Sequence, residues 1–126
     1  MVDRKFKKLS IVVPVFNEER YLEAVIGKVI AQPLPGGLEK ELILVNDASR
    51  DNTWNIMQSL PGKFPSVKFQ LINKTVNEGK GAALRDGFAI VTGDVVIVQD
   101  AEFEYDPADY PKLLQPILDG KADVVY

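Results

Sequence analysis

The 126-residue sequence contains no cysteine and no histidine. These absences exclude a disulfide framework, thiolate or imidazole metal sites, histidine-ligated haem, a cysteine nucleophile and a Ser-His-Asp triad. Any metal must therefore sit among oxygens. The lack of cysteine fits a reducing compartment, and a cytoplasmic protein is expected. Long apolar runs are also missing. Residues 9–16 (LSIVVPVF) fall far short of the ~20 residues of a spanning helix, and Pro14 interrupts them. They lead into Asn17-Glu18-Glu19 rather than a small-residue cleavage site, so the basic start does not read as a signal peptide. With 46% hydrophobic and 26% charged residues, the composition excludes disordered and low-complexity chains and predicts one folded domain.

Charge is unevenly distributed within the net −3. Residues 1–8 carry four bases and one acid, whereas residues 94–126 carry two bases and eight acids. A nucleic-acid binder gathers bases along one face, so no nucleic-acid partner is expected. Residues 1–8 read as a basic tail, either solvated or in peripheral contact with an anionic membrane face at about 1 kcal/mol per base. Residues 9–126 form the domain proper.

Along that domain, 9–16 and 41–46 (ELILVN) are apolar without alternation, as in strands buried on both faces of a parallel sheet. Between them Leu22, Val25, Ile26, Val29 and Ile30 make one helical stripe, ended by Pro33 to Gly37. Asp51 is placed to cap a short helix through Trp54, Met57 and Leu60, closed by Pro61-Gly62. Residues 67–72 (VKFQLI) alternate, predicting a strand nearer an edge; 79–91 read as a helix stopped by Gly93, and 94–99 (DVVIVQ) as a fourth buried strand. A last stripe at Tyr110, Leu113, Leu114, Ile117 and Leu118 precedes the beginning of another strand at 122–126. The expectation is an α/β domain of three layers, helix–sheet–helix, around a mostly parallel sheet, cut short at its C-terminus.

In such folds ligands bind beyond the carboxyl ends of the strands. No glycine follows the first strand until Gly27, which excludes the dinucleotide fingerprint, and Gly79-Lys80 lacks both the upstream glycine and the Ser/Thr of a P-loop. After the fourth strand, Asp100, Glu102, Glu104 and Asp106 place four carboxylates within seven residues. Two like charges ~4 Å apart repel by about 4 kcal/mol at an effective dielectric near 20. Asp106 precedes Pro107 and reads as a cap, but Asp100 ends an apolar strand where a bare carboxylate is disfavoured. Mg2+ or Mn2+ relieves that penalty, and Mg2+ commonly bridges one or two carboxylates to substrate phosphates.

Residues 9–18 (LSIVVPVFNE), 42–53 (LILVNDASRDNT), 77–84 (NEGKGAAL) and 95–107 (VVIVQDAEFEYDP) resemble, in order and spacing, the inverting GT-A glycosyltransferases of family 2, in particular the dolichol-phosphate and polyprenyl-phosphate mannosyl- and glucosyltransferase branch. The resemblance implies a GT-A fold and transfer of a hexose from a UDP- or GDP-linked sugar to a lipid phosphate or a saccharide. It implies that Pro14, Phe16 and Glu18 line the base and ribose pocket, that Asp47 reads the base edge, and that Lys80 lies near the nucleotide. Asp100 and Glu102 match the Asp-x-Asp metal motif, with Glu104 a third candidate ligand, for Mg2+ or Mn2+. Two positions depart from the pattern. Asn46 stands where many relatives carry Asp in the base pocket, and Glu102 replaces the second Asp, moving the carboxylate by about 1 Å. The catalytic residues of the acceptor half are absent from this stretch, so the fragment alone is expected to be inactive. A non-catalytic nucleotide-sugar-binding or interaction domain with a degenerate metal site is the alternative.

Overall fold

A computed structural model of the chain describes residues 7–34 and 37–101, together with the backbone of 124–125. The acidic residues Glu102, Glu104 and Asp106 and the stripe at Tyr110–Leu118 lie outside the described residues.

The three least alternating runs form the strands at the centre of the sheet. β1 (Lys8–Val15) pairs in parallel with β2 (Glu39–Asn46) on one side and with β4 (Val95–Val98) on the other. β3 (Lys68–Asn73) lies outside β2, and β5 (Val124–Val125) outside β4, giving the order β3-β2-β1-β4-β5. The alternation at 67–72 is thus that of an edge strand, whose residues are half-buried where those of β1 and β2 are almost all inaccessible. Leu9, Ile11, Val13 and Val15 of β1 and Leu42 and Leu44 of β2 face one layer, where the Leu22, Val25, Ile26 and Val29 stripe of α1 (Leu22–Ala31) packs beside Met57 and Leu60 of α2 (Thr53–Lys63). Val12, Ile43 and Val45 face the other layer and meet Ala83 of α3 (Lys80–Phe88). Burial on both faces is why these strands need no polar alternation.

Two helices end differently from their sequence signals. α2 continues through Pro61 and Gly62 to Lys63. So near a helix end the proline removes a single backbone bond, and Phe64 N–H closes the turn onto Leu60 O at 2.9 Å. α3 stops at Phe88, not Val91, because Ile90 N–H bonds Gly87 O at 3.2 Å while Ile90 O accepts Gln70 Nε2 at 3.1 Å.

At the amino ends of the strands, the inaccessible carboxylate of Glu41 holds the sheet to the α3–β4 turn. It accepts Ser10 Oγ at 2.6 Å, Gln70 Nε2 at 2.7 Å, Thr92 Oγ1 at 2.9 Å and Thr92 N–H at 3.1 Å. Burial opposes its ionisation, but these donors prevail and hold its pKa at about 2. Among the described residues no helix is long and apolar enough to cross a membrane.

Candidate functional site

The strand order reverses between β1 and β4, since the chain leaves β1 toward β2 and returns from β3 to β4 on the far side. A crevice opens there at the carboxyl ends of the strands. Pro14 contributes to it directly. In β1, the carbonyls of Lys8 and Val12 accept from Asp94 and Gln99, whereas those of Lys7 and Val15 accept from Glu39 and Asp47. Position 14 therefore points its backbone toward β4, but the β1–β4 ladder ends at Val12–Val98. A residue without an N–H forfeits nothing there.

Pro14, Phe16, Glu18, Asp47, Lys80 and Asp100, drawn from four separate segments, line one cavity of about 340 Å³. Asn77 and Gly79, which belong to the 77–84 motif but had been given no role of their own, line it too; their signal is the Asn-Glu-Gly that immediately precedes α3. Asn46, by contrast, does not line the cavity. Its amide bonds Asn73 Oδ1 at 2.8 Å and accepts from Ser49, fastening the end of β2 to its neighbours, so it is a structural residue and not part of the pocket wall.

Asp47 is 4% exposed, and both its oxygens are engaged: Oδ1 accepts Glu78 N–H and Oδ2 accepts Gly79 N–H, each at 3.0 Å. A carboxylate has about four acceptor positions, so two remain for a ligand. Gly79 has φ +94°, a conformation only glycine adopts readily, and it turns the loop into α3. Lys80, the first residue of that helix, forms an ion pair with Asp100 Oδ2. Asp100 is 6% exposed, just beyond β4, and its carbonyl accepts Gln99 Nε2 at 3.0 Å.

Glu18 is set by its backbone, with its N–H on Thr53 Oγ1 at 2.9 Å and its carbonyl accepting Tyr21 and Leu22 as α1 begins. Burial, and then the charges of Asp100 and Asp51, raise the pKa of its carboxyl. Asp51 moves the other way: burial resists ionisation, but hydrogen bonds from Thr53 and Glu19 outweigh it. The N-cap of α2 is Asn52, which makes no side-chain cap bond, and not Asp51 as the sequence suggested; Asp51, one residue earlier, takes the N–H and hydroxyl of Thr53. The two loops that carry Glu18 and Asp47 are joined by Asn17 N–H on Ser49 Oγ at 2.9 Å and Arg50 N–H on Asn17 Oδ1 at 2.8 Å. Asn17 (φ +51°) and Ala48 (φ +59°) both hold left-handed backbone, so this rim is locally strained.

The cavity thus joins a half-exposed aromatic face (Phe16, 43% accessible), an acceptor-only carboxylate, a helix start bearing a lysine, and a buried acid. That combination suits an elongated ligand with a ring at one end and an anion at the other.

Residues 10–126 match the family described as Glycosyl transferase family 2. The chain is 34% identical over 113 residues to a dolichol-phosphate mannosyltransferase of Pyrococcus furiosus, covering 90% of this chain and 31% of that protein. It is also 34% identical over 113 residues to an undecaprenyl-phosphate 4-deoxy-4-formamido-L-arabinose transferase of Shewanella sediminis, covering 89% of this chain and 34% of the relative. The chain therefore spans about a third of the length of these curated relatives. Among solved structures, a mannosyltransferase of Pyrobaculum calidifontis in complex with GDP-Man and Mn2+ superposes with a TM-score of 0.73 at 23% identity, over 86% of this chain and 32% of that one; this likeness is one of fold. Glucosyl-3-phosphoglycerate synthase of Mycobacterium tuberculosis, in complex with Mg2+ and UDP, gives 0.67 at 28% identity, over 89% and 40%. The architecture is that of GT-A glycosyltransferases, and the chain belongs to glycosyltransferase family 2.

Proposed function

We propose that this chain is the donor-binding part of an inverting glycosyltransferase that passes a hexose from a UDP- or GDP-linked sugar to a polyprenyl or dolichyl phosphate, or to a saccharide. One observation carries the reading: six residues from four separate segments converge on a single cavity at the point where the strand order reverses. The relatives named for dolichol-phosphate and undecaprenyl-phosphate transfer favour a lipid phosphate as acceptor.

In this reading the nucleobase lies on Phe16 beside Pro14, and Asp47 accepts a ring N–H with the lone pairs its two backbone partners leave open. Glu18 faces the ribose. The diphosphate lies against the first turn of α3, whose leading N–H groups and Lys80 favour anions. Asp100 offers a hard oxygen in a cavity wall it shares with Glu18, whose carboxyl is raised first by burial and then by the charges of Asp100 and Asp51. Among the described residues no three acidic side chains gather around one point, so a divalent ion would be held by Asp100 together with Glu102 and Glu104, the latter two outside the described residues. When bound, Mg2+ or Mn2+ neutralises the charge that develops on the departing nucleoside diphosphate.

The acceptor oxygen forms a bond to the anomeric carbon from the face opposite the diphosphate, whose C–O bond breaks with its electron pair, and the configuration inverts. An ionised phosphate acceptor has no proton to surrender there, so no general base is required. A saccharide hydroxyl requires one.

Calorimetric titration with GDP and UDP, with and without Mn2+, tests the reading, repeated on Asp100→Asn and Glu102→Ala. Metal-dependent binding that both variants weaken supports it. Binding indifferent to metal identifies a non-catalytic nucleotide-sugar-binding domain instead. For these 126 residues alone we expect weak donor binding and no transfer; robust transfer by the purified chain refutes that expectation.

A further inference from the structure

We infer that Ser49 and Thr53 are positioning residues for the ring-binding end of the cavity: their hydroxyls peg the loop after β1 in the conformation that presents the Phe16 ring and the Glu18 carboxyl together. This inference rests on the reading of the cavity as a sugar-donor site. Neither hydroxyl-bearing residue lines that cavity, so each acts through the loop it holds.

Two successive backbone N–H groups are pegged. Asn17 N–H bonds Ser49 Oγ and Glu18 N–H bonds Thr53 Oγ1, each at 2.9 Å. A hydroxyl has a single proton to give, and where that proton goes decides where its lone pairs point. Ser49 gives its proton to Asn46 Oδ1 at 2.5 Å, and Thr53 gives its own to Asp51 Oδ1. Both acceptors are themselves fixed. Asn46 is 2% exposed with its amide nitrogen on Asn73 Oδ1, and Asp51 Oδ1 also accepts the N–H of Thr53. The lone pairs are therefore aimed at the loop before any ligand arrives.

The loop needs such holding. Asn17 lies between the two cavity residues, and its φ of +51° is left-handed backbone, which persists where the surroundings over-determine it. Its side chain adds a third tie by accepting Arg50 N–H at 2.8 Å. Thr53 is wholly buried while Phe16 and Asn17 are exposed, so an interior group sets the geometry of a surface loop. Holding Phe16 and Glu18 in place beforehand spares the ligand the cost of ordering them, and that saving is what the pegs contribute to affinity.

The test is calorimetric titration of the full chain with GDP and UDP in the presence of Mn2+, beside thermal unfolding of each ligand-free variant. Thr53→Val keeps the volume and loses the hydroxyl, and it should weaken nucleotide binding by about tenfold. Thr53→Ser keeps the hydroxyl and loses a buried methyl. It should unfold at a lower temperature than the unaltered chain yet bind within about twofold of it. Ser49→Ala should weaken binding by about tenfold, but by under about threefold in a Phe16→Ala background, because this peg acts through that side chain. Ser59→Ala, which removes a hydroxyl bonded to Ile56 O within α2, should leave binding unchanged. If affinity merely follows the unfolding temperatures of the variants, or Thr53→Val binds as the unaltered chain does, the hydroxyls are structural, the positioning role is overturned and the donor site stands. If the unaltered chain binds neither GDP nor UDP, the donor site itself falls, and this inference with it.

Discussion

Asp47 at the end of β2 accepts the backbone N–H of Gly79 at 3.0 Å, so a carboxylate on one wall of the crevice fixes where the helix on the other wall begins. Asp47→Asn keeps the shape but turns one acceptor into an NH2 group facing a backbone N–H. Leaving such a donor unpaired costs about 1–3 kcal/mol. Thermal unfolding should show that loss, and nucleotide affinity should fall with it because Lys80 moves with the loop. Gly79→Ala should behave alike, since φ +94° strains any side-chain-bearing residue by about 1–3 kcal/mol.

Glu18 keeps its proton to higher pH in the folded chain than in the unfolded one, because of burial and the neighbouring charges of Asp100 and Asp51. Its contribution therefore favours folding below the ordinary value of 4.5 and is lost as pH rises through the folded value. Glu18→Gln removes that penalty. Denaturant titration of the ligand-free variant at pH 7 should find it more stable, by less than about 1 kcal/mol in so open a site, while nucleotide binding weakens.

Glu41 has the opposite sign. Its folded pKa of about 2 lies below the ordinary 4.5, so it stabilises the fold above pH 4.5 and loses that contribution as pH falls toward 2. The shift corresponds to about 3 kcal/mol. Glu41→Gln should therefore destabilise at pH 7 by an amount of that order, and the difference from the unaltered chain should shrink steadily in acid. A gap that stays constant down to pH 2 contradicts the assignment.

β1 and β2 were legible because burial on both faces leaves one signature, the unbroken apolar run, whereas the equally apolar β4 is fully buried only at alternate residues; α1 was legible because its stripe survives as Leu22, Val25, Ile26 and Val29, with Ile30 half-buried beside them. Helix ends were not: Pro61 and Gly62 announce a stop, yet α2 runs on to Lys63 and closes through Phe64 N–H on Leu60 O, and the end of α3 is accompanied by a bond from Gln70, twenty residues upstream of Ile90. The site was legible as a set of residues and not as a set of bonds. The motifs placed Asp47, Lys80 and Asp100 in one pocket, but the amides on Asp47 and the Lys80–Asp100 pair join residues 20 to 32 positions apart, and no local pattern encodes which partner each finds. Asn46 shows the converse, a position read as pocket wall whose side chain instead holds β2 to Asn73 of β3 and to Ser49.

Two glycines, Gly87 of α3 and Gly93 in the turn before β4, sit where an added Cβ would crowd β1, and they should respond differently to the same substitution. A Cβ on Gly87 would lie 2.6 Å from Val12 Cγ1, a side-chain methyl, whereas a Cβ on Gly93 would lie 2.8 Å from Ser10 N and 2.9 Å from Lys8 O, both backbone of β1. Overpacking costs typically about 1–3 kcal/mol, less where a side chain gives way. Gly93→Ala has no such relief, and it also pushes on Ser10 Oγ, which holds Glu41, so it should be the more destabilising. Val12→Ala makes room for the new methyl at position 87. The double variant Val12→Ala/Gly87→Ala should therefore be more stable than the two single losses added together, by about 0.5–3 kcal/mol of coupling, whereas Val12→Ala combined with Gly93→Ala should be additive. Urea denaturation of the five variants decides it, and additivity in the Gly87 pair contradicts the close packing of α3 on β1.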